Sequence, residues 1–106
     1  MKNTYQITVY IPKVECEAVK EAMFKEGSGQ IDTYEACSWQ VLGEGQFRPL
    51  KGSTPFIGEQ DKLEIVEEYK VEMLCFGDRL EAVMKAMKET HPYEVPAYGV
   101  VKLVDI

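Results

Sequence analysis

Apolar and polar positions alternate from residue 4 to 11, with Tyr5, Ile7, Val9 and Ile11 on one face and Gln6, Thr8 and Tyr10 on the other. A period of two in a stretch rich in β-branched and aromatic residues predicts a half-buried strand, which Pro12 ends. The period then changes. Val14, Ala18, Val19, Ala22 and Met23 recur at helical spacing up to about Glu26, where Gly27 is placed to stop an amphipathic helix. Residues 30–42 are read as extended, with Ile31, Thr33, Glu35, Cys37, Trp39 and Val41 on one side. Four glycines and two prolines then fall within 43–58, which predicts a long irregular excursion rather than a tight hairpin. Loops of that length in small domains usually have a role.

The clearest strand is 62–76. Leu63, Ile65, Tyr69, Val71, Met73 and Cys75 share a face broken only by Glu67, which would need Arg48 or Lys62 as a partner if buried. Glu68, beside it, reads as part of a solvated face. Asp78 and Glu81 suggest a capped start to a second helix, whose stripe is Leu80, Val83, Met84 and Met87. His91-Pro92 stops it. A last strand over 95–104 includes Pro96, tolerable only at a sheet edge or bulge.

The order strand, helix, strand, loop, strand, helix, strand is that of an α+β, ferredoxin-like βαββαβ domain. It predicts a four-stranded antiparallel sheet with two helices on one face, built from residues 1–106 as a single domain. The alternation also predicts that Tyr34, Ala36, Leu42, Val66, Leu74, Tyr98, Val100 and Val104 point to the uncovered side of the sheet. An apolar patch there is naturally buried by oligomerisation.

Charge narrows the partners. Twelve Lys and Arg against eighteen Asp and Glu give a net charge of −6, which disfavours nucleic acid and anionic membrane surfaces. The apolar runs are far shorter than the ~20 residues of a membrane span. No signal-peptide pattern opens the chain, and Cys16, Cys37 and Cys75 form no disulfide or zinc pattern, so reduced thiols in the cytoplasm are expected.

Candidate chemistry is sparse. One histidine excludes sites that need two imidazoles. His91 is either a helix-end cap or a ligand-contacting residue, and Tyr93, Glu94 and Tyr98 follow it in a turn stiffened by two prolines. Cys37 has no spacing that supports a catalytic pair with His91. Phe47, Arg48, Lys51 and Phe56 place aromatic and cationic groups on the glycine-rich segment, suited to closing over an anionic small molecule or to ordering against a neighbouring subunit. No phosphate-binding glycine fingerprint is present. If a divalent metal ion binds, His91, Cys37 and Glu94 are its reasonable ligands.

The segment from Gly43 to Gly58, together with Leu63-Glu64-Ile65-Val66-Glu67-Glu68 and His91-Pro92-Tyr93-Glu94-Val95-Pro96-Ala97-Tyr98, resembles a known family. It is similar to the domain inserted in Ngg-interacting-factor-like proteins of the YqfO type, also called GTP cyclohydrolase type 2 homologues. The shorter His91–Pro96 segment is also similar to CutA proteins, within the wider PII/CutA-like superfamily. Gly99 departs from the acidic residue usual in the family. The resemblance implies a homotrimer with clefts between subunits that take small ligands or metal ions. The dinuclear metal centre of the parent proteins needs several histidines, so their catalytic label is not expected to transfer. The expected function is a non-catalytic, trimeric binding module standing on its own, regulatory in role. The alternatives are a CutA-like divalent-metal binder and a purely structural trimer.

Overall fold

The computed structural model describes residues 3–106. Six regular elements follow one another: β1 (Thr4–Pro12), α1 (Cys16–Lys25), β2 (Trp39–Phe47), β3 (Glu64–Phe76), α2 (Gly77–Thr90) and β4 (Tyr98–Lys102). A single 3-10 turn, Lys13–Glu15, leads into α1. The sheet is antiparallel with strand order β2-β3-β1-β4, and the α+β, ferredoxin-like expectation holds.

The core lies between the sheet and the helices. Ile7, Val9 and Ile11 of β1 and Val71, Met73 and Cys75 of β3 meet Cys16, Val19 and Met23 of α1 and Val83 and Met87 of α2. Strand residues at period two and helix residues at three-to-four spacing converge because each element has one apolar face to hide. Helix α1 ends in a Schellman turn: Gly27 N–H donates to Phe24 O and Ser28 N–H to Met23 O, with Gly27 at φ 114°.

Several boundaries differ from the sequence expectation. Residues 30–38 form turns with one isolated bridge, Ile31 to Tyr34, rather than a strand. β2 instead runs through Gly43 and Gly45, so the irregular excursion covers 48–63. The ladder to β3 tolerates the glycines because pairing uses the backbone alone. Val14, expected in a helix stripe, is 89% exposed within the 3-10 turn. The N-cap of α2 is Phe76, which makes no side-chain cap hydrogen bond, and Asp78 lies within the first turn. Pro96 precedes β4, which is indeed an edge strand.

The uncovered face also needs correction. Cross-strand partners share a face, so Trp39, Val41 and Phe47 of β2 lie with Glu72, Lys70 and Glu64 of β3 on the open side. Val66 and Leu74 join them as expected. Leu42 is opposite Tyr69, and Tyr98 and Val100 are opposite Val9 and Ile7, which puts all three on the helix side. The misplaced parity follows from the strand boundaries, since a one-residue error exchanges faces. Glu67 faces Glu44 on a part of β3 that β1 and the helices do not reach, so it stays exposed without a buried partner.

Truncating Ile7 to Ala should cost about 2–5 kcal/mol of unfolding free energy, because its side chain is wholly buried among both helices and the sheet. Val14→Ala should stay within about 0.5 kcal/mol. Urea denaturation of the two variants checks the contrast, and equal midpoints would contradict this core.

Candidate functional site

β3 is longer than β1, and its pairings are staggered. β1 pairs with Glu68–Phe76, whereas β2 pairs with Glu64–Glu72. The β2–β3 hairpin therefore overhangs β1 by the stretch Glu64–Glu67. The chain leaving α2 turns beneath this overhang. The loop 48–63 closes on the same place, and between them lies a groove of about 270 Å³.

Two hydrogen bonds fix its walls. The Tyr93 hydroxyl donates to Glu68 Oε2 at 2.8 Å, tying the turn to β3. Thr54 N–H donates to Glu94 Oε2 at 3.0 Å, tying the loop to the turn. Phe47 and Tyr93 pack edge to face, with ring centroids 5.8 Å apart. Pro49, Pro55, Phe56, Ile57, Val95 and Ala97 supply the remaining apolar lining. Gly45 lies under the Glu68 carboxylate, which would collide with a Cβ at that position. Glycine there leaves room for that carboxylate, which a larger residue would push aside.

His91 is buried, at 6% exposure, and serves the turn internally. Its Nδ1 accepts from Tyr93 N–H at 3.1 Å, which leaves Nε2 to carry the proton and donate to Tyr10 O at 2.8 Å. Burial lowers the His91 pKa below its ordinary 6.5, against smaller opposing effects of the Tyr10 carbonyl, Glu68 and Glu15. Burial also raises the Tyr93 pKa, and the hydrogen bond and charge of Glu68, with Glu15 behind it, push the same way.

Of the residues singled out from sequence, Phe47, Phe56, Tyr93 and Glu94 meet in the groove. His91 orients Tyr93 from behind. Arg48 and Lys51 are exposed and absent from the lining, and Tyr98 lies on the helix side under the Lys88 ammonium, 5.2 Å from its ring centroid. Cys37 is bonded through its N–H to Gly29 O, and Gly29 N–H to Leu74 O, at the end of the sheet away from Tyr10 and His91. His91, Cys37 and Glu94 are thus not brought together. Among the described residues, no group of three or more His, Cys, Asp and Glu side chains is placed to hold a metal ion.

Sequence reasoning missed Glu68 as a site residue. Its place in a run of charges suggested a solvated face. The available signal was the pair of glycines in β2, which clear a path for a side chain lying across that strand.

Three outcomes follow from this geometry. In a spectrophotometric titration, one of the six tyrosines should ionise well after the rest. Glu68→Gln, and Gly45→Ala by displacing Glu68, should each bring that tyrosine part of the way back, with burial keeping it above its ordinary value. An unchanged profile in both variants would contradict the Tyr93–Glu68 bond. For His91, the unfolded chain takes up a proton near pH 6.5 and the folded chain resists it, so stability should fall as pH drops below 6.5. His91→Asn should flatten that slope between about pH 6.5 and 5.5, before the carboxylates titrate, as followed by thermal unfolding.

The chain matches no family model. It is 38% identical over 104 residues to a GTP cyclohydrolase 1 type 2 homolog of Halalkalibacterium halodurans, covering 98% of this chain and 28% of that protein. It is 40% identical over 95 residues to the Bacillus subtilis homolog, covering 90% of this chain and 26% of that one. The chain thus spans about a quarter of the length of the curated relatives it matches. Among solved structures, a Bacillus cereus protein related to NIF3 superposes with a TM-score of 0.83 at 32% identity, over 98% of this chain and 26% of that one. CutA from Synechococcus elongatus superposes with a TM-score of 0.67 at 15% identity, over 98% and 80% of the two chains, which is a likeness of fold. Over nearly all its length, the chain is similar to a stretch that makes up about a quarter of the NIF3-related GTP cyclohydrolase 1 type 2 homologs, and it shares its fold with CutA.

Proposed function

We propose that the chain is a non-catalytic binding module that works as a homotrimer in the cytoplasm and takes a small ligand at clefts involving the glycine-rich loop and the His91–Ala97 turn. The observation that carries this reading is the groove itself. Two segments far apart in sequence are joined by the Glu94–Thr54 and Tyr93–Glu68 hydrogen bonds, leaving apolar and aromatic surface exposed between them. Phe56, at 55% exposure, has no place in a closed core. Binding sites are commonly concave, mostly apolar and marked by a few polar groups.

Association is supported by surface that one copy leaves uncovered. Trp39 and Val41 on the open sheet face are 61% and 44% exposed, and Ile65 on the overhanging hairpin is 58% exposed. β2 is moreover a long edge strand with unpaired backbone groups. A hairpin arm with apolar residues and a free edge is suited to a neighbouring copy. The three cysteines are free thiols, in keeping with a reducing compartment. A regulatory role is the reading that fits a ligand site without an assembled set of reacting groups.

At micromolar concentration the protein should sediment at three times its 12.1 kDa chain mass; a monomer would overturn the assembly. A thermal-shift panel of metabolites tests the ligand. A true ligand at one hundred times its Kd contributes about 2.7 kcal/mol, which should raise the midpoint on the order of ten degrees. Phe56→Ala should abolish that rise while leaving the unliganded midpoint nearly unchanged.

A further inference from the structure

The charges on the groove are one-sided. Glu68 and Glu94 line it, and among the described residues no lysine or arginine does. Among the described residues neither carboxylate is in an ion pair, although lysines elsewhere pair with Glu17, Glu59, Glu72 and Glu89. Each spends one oxygen on a neutral donor, Tyr93 O–H for Glu68 and Thr54 N–H for Glu94, and among the described residues the second oxygen of each has no hydrogen bond. Glu15 adds to the same negative field, since it acts with Glu68 on both His91 and Tyr93. The cationic loop residues Arg48 and Lys51 lie outside the lining. An anion would therefore meet uncompensated carboxylates in this groove.

We infer that the groove takes an organic cation, a protonated amine or quaternary ammonium carried on a flat apolar body. Its nitrogen would sit against the free oxygens of Glu68 and Glu94 and the Tyr93 ring, with its apolar part along Phe47 and Phe56. Aromatic faces attract cations, and desolvation between ring and carboxylate strengthens both attractions. The apolar walls supply area burial that inorganic ions could not use, which favours an organic cation over a bare metal. The inference deepens the proposed ligand-binding role and rests on it.

Three probes of similar size separate the two. Titrating the full chain with 2-phenylethylammonium, 2-phenylethanol and phenyl phosphate, while following the Phe47, Phe56 and Tyr93 ring signals by NMR, reads both site and charge. The ammonium probe should bind about tenfold tighter than the alcohol, and phenyl phosphate weakest. The advantage should be lost in the double variant Glu68→Gln/Glu94→Gln. In the unaltered protein, raising the salt concentration should weaken the ammonium probe and leave the alcohol unaffected, a readout that stands even if the double variant is poorly folded. Equal binding of ammonium and alcohol, or tighter binding of the phosphate, would overturn the cation assignment and leave the groove standing. Failure of all three probes to move the ring signals would overturn the groove as well.

Discussion

The stagger of β3 between its two neighbours governs everything distinctive in this molecule. A thirteen-residue strand cannot be matched by a nine-residue one along its whole length. With β1 taking the C-terminal part of β3 and β2 the N-terminal part, the surplus is left as a two-stranded arm. An isolated pair of strands is marginal in water. The arm is held where the turn after α2 packs against it, and the hydrogen bond from Tyr93 to Glu68 is the fastener. Overhang, turn and loop together enclose the groove, and none of the three would do so alone.

The fastener depends on a histidine that takes no direct part in lining the groove. Buried at the end of α2, His91 spends both ring nitrogens on the backbone, one on the first strand and one on Tyr93. The ring thereby fixes the chain direction after α2 and delivers the Tyr93 phenol to β3. A protonated ring would need to place a second N–H against the Tyr93 amide, a repulsive arrangement that agrees with its lowered pKa. The arrangement also explains why the single imidazole is unavailable to a metal while it holds the turn.

The acidic chain as a whole carries a charge of −6, yet the groove is acidic for a local reason. Glycine at position 45 lets one carboxylate lie across β2, and the loop amide of Thr54 holds the other. Relatives about four times as long and CutA proteins at low identity share the scaffold with this chain. Function in such scaffolds resides in the site that particular side chains build.

Element order and core composition are both written in the local pattern of the chain. Ile7, Val9, Ile11, Val71, Met73 and Cys75 alternate and Val19, Met23, Val83 and Met87 recur at helical spacing, so periodicity alone identifies what must be hidden. The aromatic loop residues and the His91–Tyr98 turn were legible as unusual, and Phe47, Phe56, Tyr93 and Glu94 among them do meet. Tertiary structure alone decided the rest. Pairing carried β2 through glycines that local propensity would leave in a loop, and that shift of boundary exchanged the faces of Leu42 and Trp39. Register placed Glu68 beneath Tyr93, and the loop left Arg48 and Lys51 outside the lining, reversing the charge expected of the site. Which side chains face a cleft depends on strand offset and crossover between residues far apart in the chain, and no local pattern encodes that offset.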